Sequence, residues 1–317
     1  MEKITLCKLP TPVEYIGREG GNQLYIKRDD LTDLAFGGNK VRKLEYFLDD
    51  AIQNGSDCII TYGGYQSNHC RITAAAARKF KKKCVLILAE TEEIVNNANY
   101  LLYSLFDVDI VWVSPENVPT TIQETMELYT SRGFTPYFIQ GGGHGNLGTH
   151  AYVEAYNEII EQQIACNVNF DYIFHASGTG TTQAGLQIGN MLNNFESKII
   201  GISVARNEKR GKEVIYKSIR DYCNEFKIAL FHKKEDIVFD DAYIGKGYSD
   251  IYEEIPETIK YVAKNYGLLL DPIYTGKAFY GMLNFIEKEN IQNKNILFIH
   301  TGGTPLLFSN TEIFEGS

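Results

Sequence analysis

Short, nearly continuous runs of apolar residues recur along the chain and alternate with segments of helical periodicity. The apolar runs cover residues 58–62, 85–89, 110–113, 137–140, 172–176, 199–204 and 296–300. Such short, continuous apolarity is typical of strands that are covered on both faces. Helical patterns cover residues 40–53, 68–80, 149–162, 182–192 and 253–264. The alternation predicts an α/β fold with open, mostly parallel sheets flanked by helices.

Composition narrows the class of protein. A chain of 317 residues suggests about two domains. The net charge of -9 argues against nucleic-acid and anionic-membrane partners. The chain begins without the apolar core of a signal peptide, and its longest apolar runs have only strand length. Six scattered cysteines without a C-x-x-C pair predict reduced thiols. We therefore expect a soluble, cytoplasmic protein.

Glycines cluster where the predicted strands end or the helices begin. In α/β folds, ligands bind at the carboxyl ends of strands, where small residues let the backbone approach the ligand. An isolated glycine pair would be an ordinary turn, but five such junctions favour one shared cleft. The five groups are Gly37–Gly38, Gly63–Gly64, Gly141–Gly143, Gly178 with Gly180, and Gly302–Gly303.

Lys40 follows the first glycine pair at the mouth of a predicted helix. A cation is disfavoured at a helix N-terminus, and that field together with burial lowers a lysine pKa. An amine with a lowered pKa is a good nucleophile towards an aldehyde. The other interpretation is an ordinary surface lysine.

A Ser/Thr/Gly-rich segment follows the predicted strand 172–176 and opens a helix. Backbone N–H groups and hydroxyls there form a candidate phosphate cup, although a capped helix is the simpler interpretation. A Walker lysine is missing, and Gln183 stands where a dinucleotide fingerprint needs its third glycine. These departures argue against a dinucleotide site, and a nicotinamide-dependent oxidoreductase is kept only as an alternative from a different class. The candidate phosphate ligands are Ser177, Gly178, Thr179, Gly180, Thr181 and Thr182.

Two further segments carry candidate substrate contacts. The loop after strand 58–62 ends in Ser67, Asn68 and His69, which either bind a substrate carboxylate and a cofactor oxygen or only cap the next helix. Tyr274 follows an apolar run and precedes a predicted glycine turn at Gly276; packing is the other interpretation. Histidine spacings of metal sites and the G-x-S-x-G elbow are missing, so we predict neither a metal site nor a serine hydrolase.

Taken together, the motifs resemble the 1-aminocyclopropane-1-carboxylate deaminase/D-cysteine desulfhydrase family over essentially the whole chain. The matching segments are KRDD at 27–30, GGNKVRKLE at 37–45, GGYQSN at 63–68, TGTTQAG at 179–185, DPIY at 271–274 and HTGG at 300–303. The resemblance implies an enzyme that uses pyridoxal 5'-phosphate and has the tryptophan-synthase-β fold, known as fold type II. It also implies a homodimer.

The resemblance implies a role for several residues. Lys40 is expected to bind the cofactor aldehyde covalently and to act as acid and base at the substrate α-carbon. Asn68 is expected to hold the cofactor 3'-oxygen, and residues 178–182 its phosphate. Ser67 and Tyr274 are expected beside the substrate. Tyr248 resembles a second active-site tyrosine, although Ser249 replaces the family's usual glycine.

The branch of the family depends on two cofactor-site positions. Thr275 and Thr301 stand where the deaminases carry glutamate and leucine, which resembles the desulfhydrase branch. We therefore expect a β-eliminating lyase that converts D-cysteine and water into pyruvate, hydrogen sulfide and ammonia. His144 replaces the family's usual serine and is expected to face the substrate. Alternatives are an L-cysteate sulfo-lyase, a 1-aminocyclopropane-1-carboxylate deaminase and a cofactor-binding protein without catalysis.

The expected domain organisation is nested. Residues 45–148 are expected to form a small domain inserted into a large cofactor-binding domain, which consists of residues 1–44 and 149–317. This arrangement would account for the lack of a compositional linker.

Overall fold

The computed structural model describes residues 1–194, 197–229 and 233–314. Its strands are β1 (Val13–Glu19), β2 (Asn22–Lys27), β3 (Cys58–Gly64), β4 (Lys83–Ala89), β5 (Asp109–Val113), β6 (Pro136–Ile139), β7 (Tyr172–Ser177), β8 (Lys198–Ser203), β9 (Val238–Asp240) and β10 (Asn295–Ile299). Its α-helices are α1 (Asn39–Gln53), α2 (Asn68–Lys79), α3 (Ala98–Leu105), α4 (Val118–Ser131), α5 (Asn146–Cys166), α6 (Thr181–Leu192), α7 (Glu208–Glu225), α8 (Glu254–Tyr266) and α9 (Thr275–Lys288).

The strands form two sheets, and helices pack against them. One sheet has the order β1-β2-β10-β7-β8-β9, and the other has the order β5-β4-β3-β6. All pairs are parallel except the β1–β2 hairpin. The predicted α/β class with mostly parallel sheets is therefore confirmed.

The chain builds the smaller sheet from one continuous stretch. Its four strands all come from residues 58–139, whereas the larger sheet takes strands from both sides of that stretch. Each sheet has apolar layers on its faces: Phe174 and Phe298 lie in the core of the larger sheet, and Ile59 and Leu86 in that of the smaller. The domain boundaries at 45 and 148 remain a prediction.

Several elements escaped the hydrophobic pattern. The β1–β2 hairpin was not predicted because β1 is a half-buried edge strand whose register shifts between Tyr15 and Gly17. Strand β9 is only three residues long. Helices α3, α4, α7 and α9 were also missed. In α7 the buried stripe, which includes Ile215 and Ile219, is diluted by many charged residues.

A buried charge network joins α1 to the end of β2 and to α5. Arg42 donates to Asp29 over 2.7 Å and to Glu158 over 2.9 Å, and Lys27 also pairs with Glu158. Tyr152 donates to the second Asp29 oxygen over 2.6 Å. Two cations and two anions balance here, as burial requires. The KRDD motif thus has a structural role, since Lys27 and Asp29 take part in the network that orients α1, the helix that carries Lys40.

No helix in residues 1–194, 197–229 or 233–314 is long and apolar enough to cross a membrane.

Candidate active site

A cavity of about 650 Å³ lies at the carboxyl ends of strands from both sheets. It opens where β3, β7, β8 and β10 end and where α1, α2 and α6 begin. Its size is in the ordinary range for cofactor sites. Four of the five predicted glycine groups contribute to its lining: Gly63, Gly64, Gly141, Gly142, Gly178, Gly180 and Gly302.

The fifth glycine group brings Lys40 to the cavity. Gly38 has a φ of 117°, and a Cβ there would lie 2.9 Å from the carbonyl oxygen of Thr301. The backbone N–H of Asn39 donates to that same oxygen over 3.0 Å. This close approach needs glycine, and it places the start of α1 directly against the loop after β10. Lys40 and Thr301 consequently line the same cavity.

Lys40 is half-buried, and burial lowers its pKa to about 8, although hydrogen bonding to Lys43 opposes this shift. Lys43 lies one turn further along α1 and is 1% exposed. Burial and the charge of Lys40 hold the Lys43 pKa well below its usual range. Burial thus favours the neutral amine of Lys43, and with a pKa of about 8 roughly a tenth of Lys40 is neutral at pH 7. A neutral amine is the form that attacks an aldehyde.

The start of α2 supplies the second wall. Ser67 caps this helix, since its hydroxyl accepts from the N–H of Cys70 over 3.3 Å. The helix-cap interpretation of Ser67 is thus correct, but Ser67, Asn68 and His69 also all line the cavity.

His69 is buried with a defined tautomer. The Thr61 hydroxyl donates to the carbonyl of Ile139, so it must accept from Nε2–H of His69, which lies 2.8 Å away. The Nδ1 atom is then a bare acceptor, and no described residue donates to it. Burial and the charges of Lys40 and Lys43 hold the His69 pKa well below its usual range. His69 is thus a neutral hydrogen-bond acceptor beside the lysines.

The predicted phosphate cup forms the third wall. Helix α6 begins after Gly180, which has a φ of 88°, so the first N–H groups of the helix are unpaired within it. Gly178, Thr179 and Thr182 line the cavity with Gly180. Arg206, at the end of β8, donates to the carbonyl of Gly178. N–H groups, hydroxyls and a nearby cation are the donor set that a phosphate monoester needs.

The remaining predicted cup residues are placed differently. Ser177 also lines the cavity, but its hydroxyl donates to Gln183 over 3.2 Å. The Thr181 hydroxyl lies 2.9 Å from Nδ1 of His144. Burial, with the charges of Lys43 and Arg206, lowers the His144 pKa to about 4, so this imidazole is neutral. His144 lines the cavity from the side of the cup.

Two tyrosines form the fourth wall. Tyr248 and Tyr274 both line the cavity, and their hydroxyls are hydrogen-bonded to each other. Although 42% of Tyr248 is exposed, burial around its hydroxyl raises its pKa to about 12. Burial and Tyr248 raise the Tyr274 pKa well above its usual range. Both phenols therefore keep their protons at neutral pH.

Asp271 holds the backbone on which Tyr274 stands. Its carboxylate accepts from the N–H groups of Ile273, Tyr274 and Thr275, at 2.8 to 3.0 Å. The predicted glycine turn is wrong, because Gly276 lies inside the first turn of α9. The Thr275 hydroxyl donates to the Asp271 carboxylate and accepts from the backbone N–H of Asp271, each over 2.8 Å. Thr275 is fully buried and lies outside the cavity lining, whereas Thr301 belongs to the lining.

Sequence reasoning missed four cations at this site: Lys43 beside Lys40, and Arg206, Arg210 and Lys217 in the cavity lining. Lys43 could have been found from its spacing, because residues three apart share one face of a helix. Arg206 follows β8 at the place where a dinucleotide site carries an acid, and a basic residue beside the cup is itself a signal. Among the described lining residues, the carboxylate is that of Glu213 on α7.

The donor set and the lysine match one kind of cofactor. The model of the pyridoxal-phosphate dependent enzyme family matches residues 4–302. The chain belongs to this family. It is 38% identical over 312 residues to a putative 1-aminocyclopropane-1-carboxylate deaminase of Pyrococcus abyssi, covering 96% of this chain and 93% of that protein.

Solved structures agree with this family. A crystal structure of an ACC deaminase homologue superposes with a TM-score of 0.90 at 35% identity, covering 99% of this chain and 95% of that one. A hydrogen sulfide-producing enzyme of Fusobacterium nucleatum has a TM-score of 0.66 at 17% identity, over 94% of each chain, which shows a shared fold only. The expected fold type, the deaminase family and the pyridoxal phosphate cofactor are therefore confirmed.

Proposed function

We propose that this enzyme eliminates a β-substituent from a small amino acid, and that its substrate is D-cysteine. The products would be pyruvate, hydrogen sulfide and ammonia. The supporting observation is a lining that combines a lysine of lowered pKa with neutral phenols and Thr301, while its acid, Glu213, stands on α7. These groups suit proton removal at the α-carbon and proton donation to the group that leaves the β-carbon.

Substrate binding would use the start of α2. The helix N-terminus attracts a carboxylate, and the N–H groups after Ser67 are available as donors, while the Asn68 amide would hold the cofactor 3'-oxygen. The cup at α6 would hold the cofactor phosphate. Bound there, pyridoxal phosphate supplies an aldehyde that captures the substrate amine and a ring that delocalises the electron pair left at the α-carbon.

Lys40 and Tyr274 would then move the protons. The Lys40 amine, displaced by the substrate amine, removes the α-proton as a general base. The bond from the β-carbon to sulfur breaks with both electrons on sulfur. The Tyr274 phenol, which burial keeps protonated, would donate a proton to the leaving thiolate. The Tyr248 hydroxyl would then donate a hydrogen bond to the Tyr274 oxygen. Released 2-aminoacrylate takes up water and yields pyruvate and ammonia.

The choice of D-cysteine over the cyclopropane amino acid depends on acidity near the ring nitrogen. A carboxylate beside that nitrogen would keep it protonated and deepen the electron sink. Thr301 is neutral, and the Thr275 hydroxyl is already engaged by Asp271. A weaker sink suffices for elimination from an acidic α-carbon, whereas opening a cyclopropane without an α-proton needs more. The name of the Pyrococcus abyssi relative favours the deaminase as second candidate.

A substrate panel tests this proposal. The loaded enzyme is offered D-cysteine, L-cysteine, L-cysteate, D-serine and 1-aminocyclopropane-1-carboxylate, and keto acid, sulfide and sulfite are measured. We expect D-cysteine to give the highest kcat/KM, with equal amounts of pyruvate and sulfide. Faster 2-oxobutanoate formation from the cyclopropane substrate would replace our proposal with the deaminase, and sulfite from L-cysteate would replace it with the sulfo-lyase.

Two variants act as controls for the panel. Lys40→Ala should lose the visible absorbance band of the lysine-bound cofactor and all elimination. Tyr274→Phe should keep that band but lower kcat for D-cysteine by about a hundredfold, the usual size of a lost general acid. A Tyr274→Phe enzyme with unchanged kcat would remove this residue from the mechanism.

We further propose a homodimer in the cytoplasm, with residues 45–148 as the inserted domain. Family resemblance supports the dimer, and the continuous origin of the smaller sheet supports the domain. Light scattering of the purified enzyme measures the first, and limited proteolysis near the proposed boundaries tests the second.

A further inference from the structure

Arg71 is a fully buried arginine on α2, one turn after Asn68. Its guanidinium donates to Oδ1 of Asn68 over 2.9 Å, to Oδ1 of Asn99 over 2.8 Å and to the carbonyl of Gly37 over 3.0 Å. Each of these acceptors is neutral. Arg71 thus places a positive charge in the interior without a carboxylate among its hydrogen-bond partners.

Arg71 determines which way the Asn68 amide points. A guanidinium only donates, so the atoms that face it on Asn68 and Asn99 must be oxygens. The Asn99 amide nitrogen in turn donates to Oδ1 of Asn68 over 2.9 Å and to the carbonyl of Gln66 over 2.7 Å. With Oδ1 held by two donors, the NH₂ group of Asn68 is the free end of the amide at the cavity that Asn68 lines.

The charge of Arg71 persists at working pH. Burial lowers its pKa to about 10, which still leaves the guanidinium protonated at neutral pH. The titratable groups that act on it are Tyr103 on α3, with Asp271 and Tyr274 at the start of α9. Both tyrosines are neutral, because burial raises their pKa values well above the usual range. Asp271 already accepts three N–H groups and the Thr275 hydroxyl.

We propose that Arg71 is a positioning residue that orients the Asn68 NH₂ group towards the cofactor 3'-oxygen. Its guanidinium, on the far side of the Asn68 amide, would also stabilise negative charge on that oxygen. This inference rests on the proposed contact between Asn68 and the cofactor. An anionic oxygen is favoured by a donor and by a nearby cation, so the nitrogen that links Lys40 to the cofactor loses its proton more easily. Arg71 consequently lowers the pKa of that linkage.

The test is a pH titration of the visible absorbance band of the loaded enzyme without substrate. Arg71→Met removes both the charge and the guanidinium hydrogen bonds to Asn68 and Asn99, and it should raise the linkage pKa by about one unit or more. Asn99→Asp places a carboxylate against the guanidinium and should raise it in the same direction. Arg71→Lys retains the charge and should keep most of the pKa while weakening cofactor affinity. Arg78→Met, an exposed arginine of the same helix, is the matched control and should titrate like the wild type.

The outcomes separate this inference from the site on which it rests. A linkage pKa unchanged in both Arg71→Met and Asn99→Asp overturns it, and if Arg71→Met does not fold, Asn99→Asp alone decides. Asn68→Ala is titrated in parallel. If Asn68→Ala shifts the linkage pKa but the other two variants do not, Arg71 has no positioning role and the Asn68 contact stands. If none of the three shifts it, the contact of Asn68 itself is wrong.

Discussion

At the scale of single residues, this acidic protein places four basic side chains around one cavity without an ion-pair partner among the described residues. Lys40 and Lys43 lie on one face of α1, Arg206 lies at the cup and Arg71 lies behind Asn68. Because burial removes water from these groups, it lowers the pKa of both lysines and both arginines. The net charge of -9 gives no hint of this local environment.

The lowered pKa of Lys40 predicts how cofactor loading depends on pH. Only the neutral amine attacks the aldehyde, so the initial loading rate of cofactor-free enzyme should rise about tenfold per pH unit below 8 and level off above it. Growth of the visible band after mixing with pyridoxal phosphate measures this rate, and free N-acetyl-lysine is the control. A rise that continues to pH 10, as in the control, would contradict the lowered pKa.

At the scale of elements, buried cations also hold segments in place. Lys277 on α9 is fully buried and donates to the carbonyl of Ile244 over 2.8 Å, at the start of the loop that carries Tyr248. Arg42 joins α1 to the end of β2 and to α5 through Asp29 and Glu158. Both side chains lie outside the cavity lining and hold elements that carry lining residues.

The Arg42 network predicts a stability effect. Arg42→Met should lower the free energy of unfolding by about 3–5 kcal/mol, because it leaves Asp29 buried beside an incomplete set of partners. Urea denaturation of the cofactor-free enzyme measures this. Arg78→Met, which loses only the exposed pair with Asp107, should cost about 0–1 kcal/mol. Equal losses in the two variants would show that the network adds nothing.

The same network has a pH signature. Burial alone would raise the Asp29 and Glu158 pKa values, but the charge and hydrogen bonds of Arg42 hold both below the usual range. A carboxylate with a lowered folded pKa stabilises the protein above its unfolded pKa, and this contribution is lost as pH falls through the folded value. The stability gap between wild type and Arg42→Met should therefore narrow below about pH 4.

At the scale of the whole molecule, the cavity joins the two sheets. Its lining includes Gly64 at the end of β3 in one sheet, and Ser177 at the end of β7 and Thr301 after β10 in the other. A ligand that fills it contacts both sheets at once. Such a ligand binds the folded state alone and stabilises it by mass action.

Removing the cofactor should therefore lower the melting temperature. At a cofactor concentration about a hundred times its dissociation constant, the expected stabilisation is about 2.7 kcal/mol. Scanning calorimetry of the loaded enzyme, of the cofactor-free enzyme and of Lys40→Ala with added cofactor measures it. Lys40→Ala should show a smaller shift because only the phosphate cup and Asn68 remain to bind. Identical melting curves with and without cofactor would contradict a binding site shared by the two sheets.

Much of the fold could be predicted from local pattern. All seven predicted strands exist because buried parallel strands need apolar residues on both faces, a requirement visible within each short run. The glycine junctions and the Ser/Thr-rich cup were visible for a similar local reason, since the backbone itself forms these parts. The β1–β2 hairpin and α7 were not visible, because an edge strand and a charged helix bury too little apolar surface to leave a clear period.

The sequence by itself thus determined the α/β class and the family, and it singled out Lys40 and the cup residues, most of which line one cavity in the structure. Only the tertiary structure decided which polar groups meet. Asn99 comes from another helix than Arg71, and the hydroxyl of Thr61 determines the tautomer of His69 from a strand. It also placed the Thr275 hydroxyl on Asp271 and outside the cavity lining. Hydrogen bonds and buried charges depend on distances of a few ångströms between distant parts of the chain, and no local pattern encodes those distances.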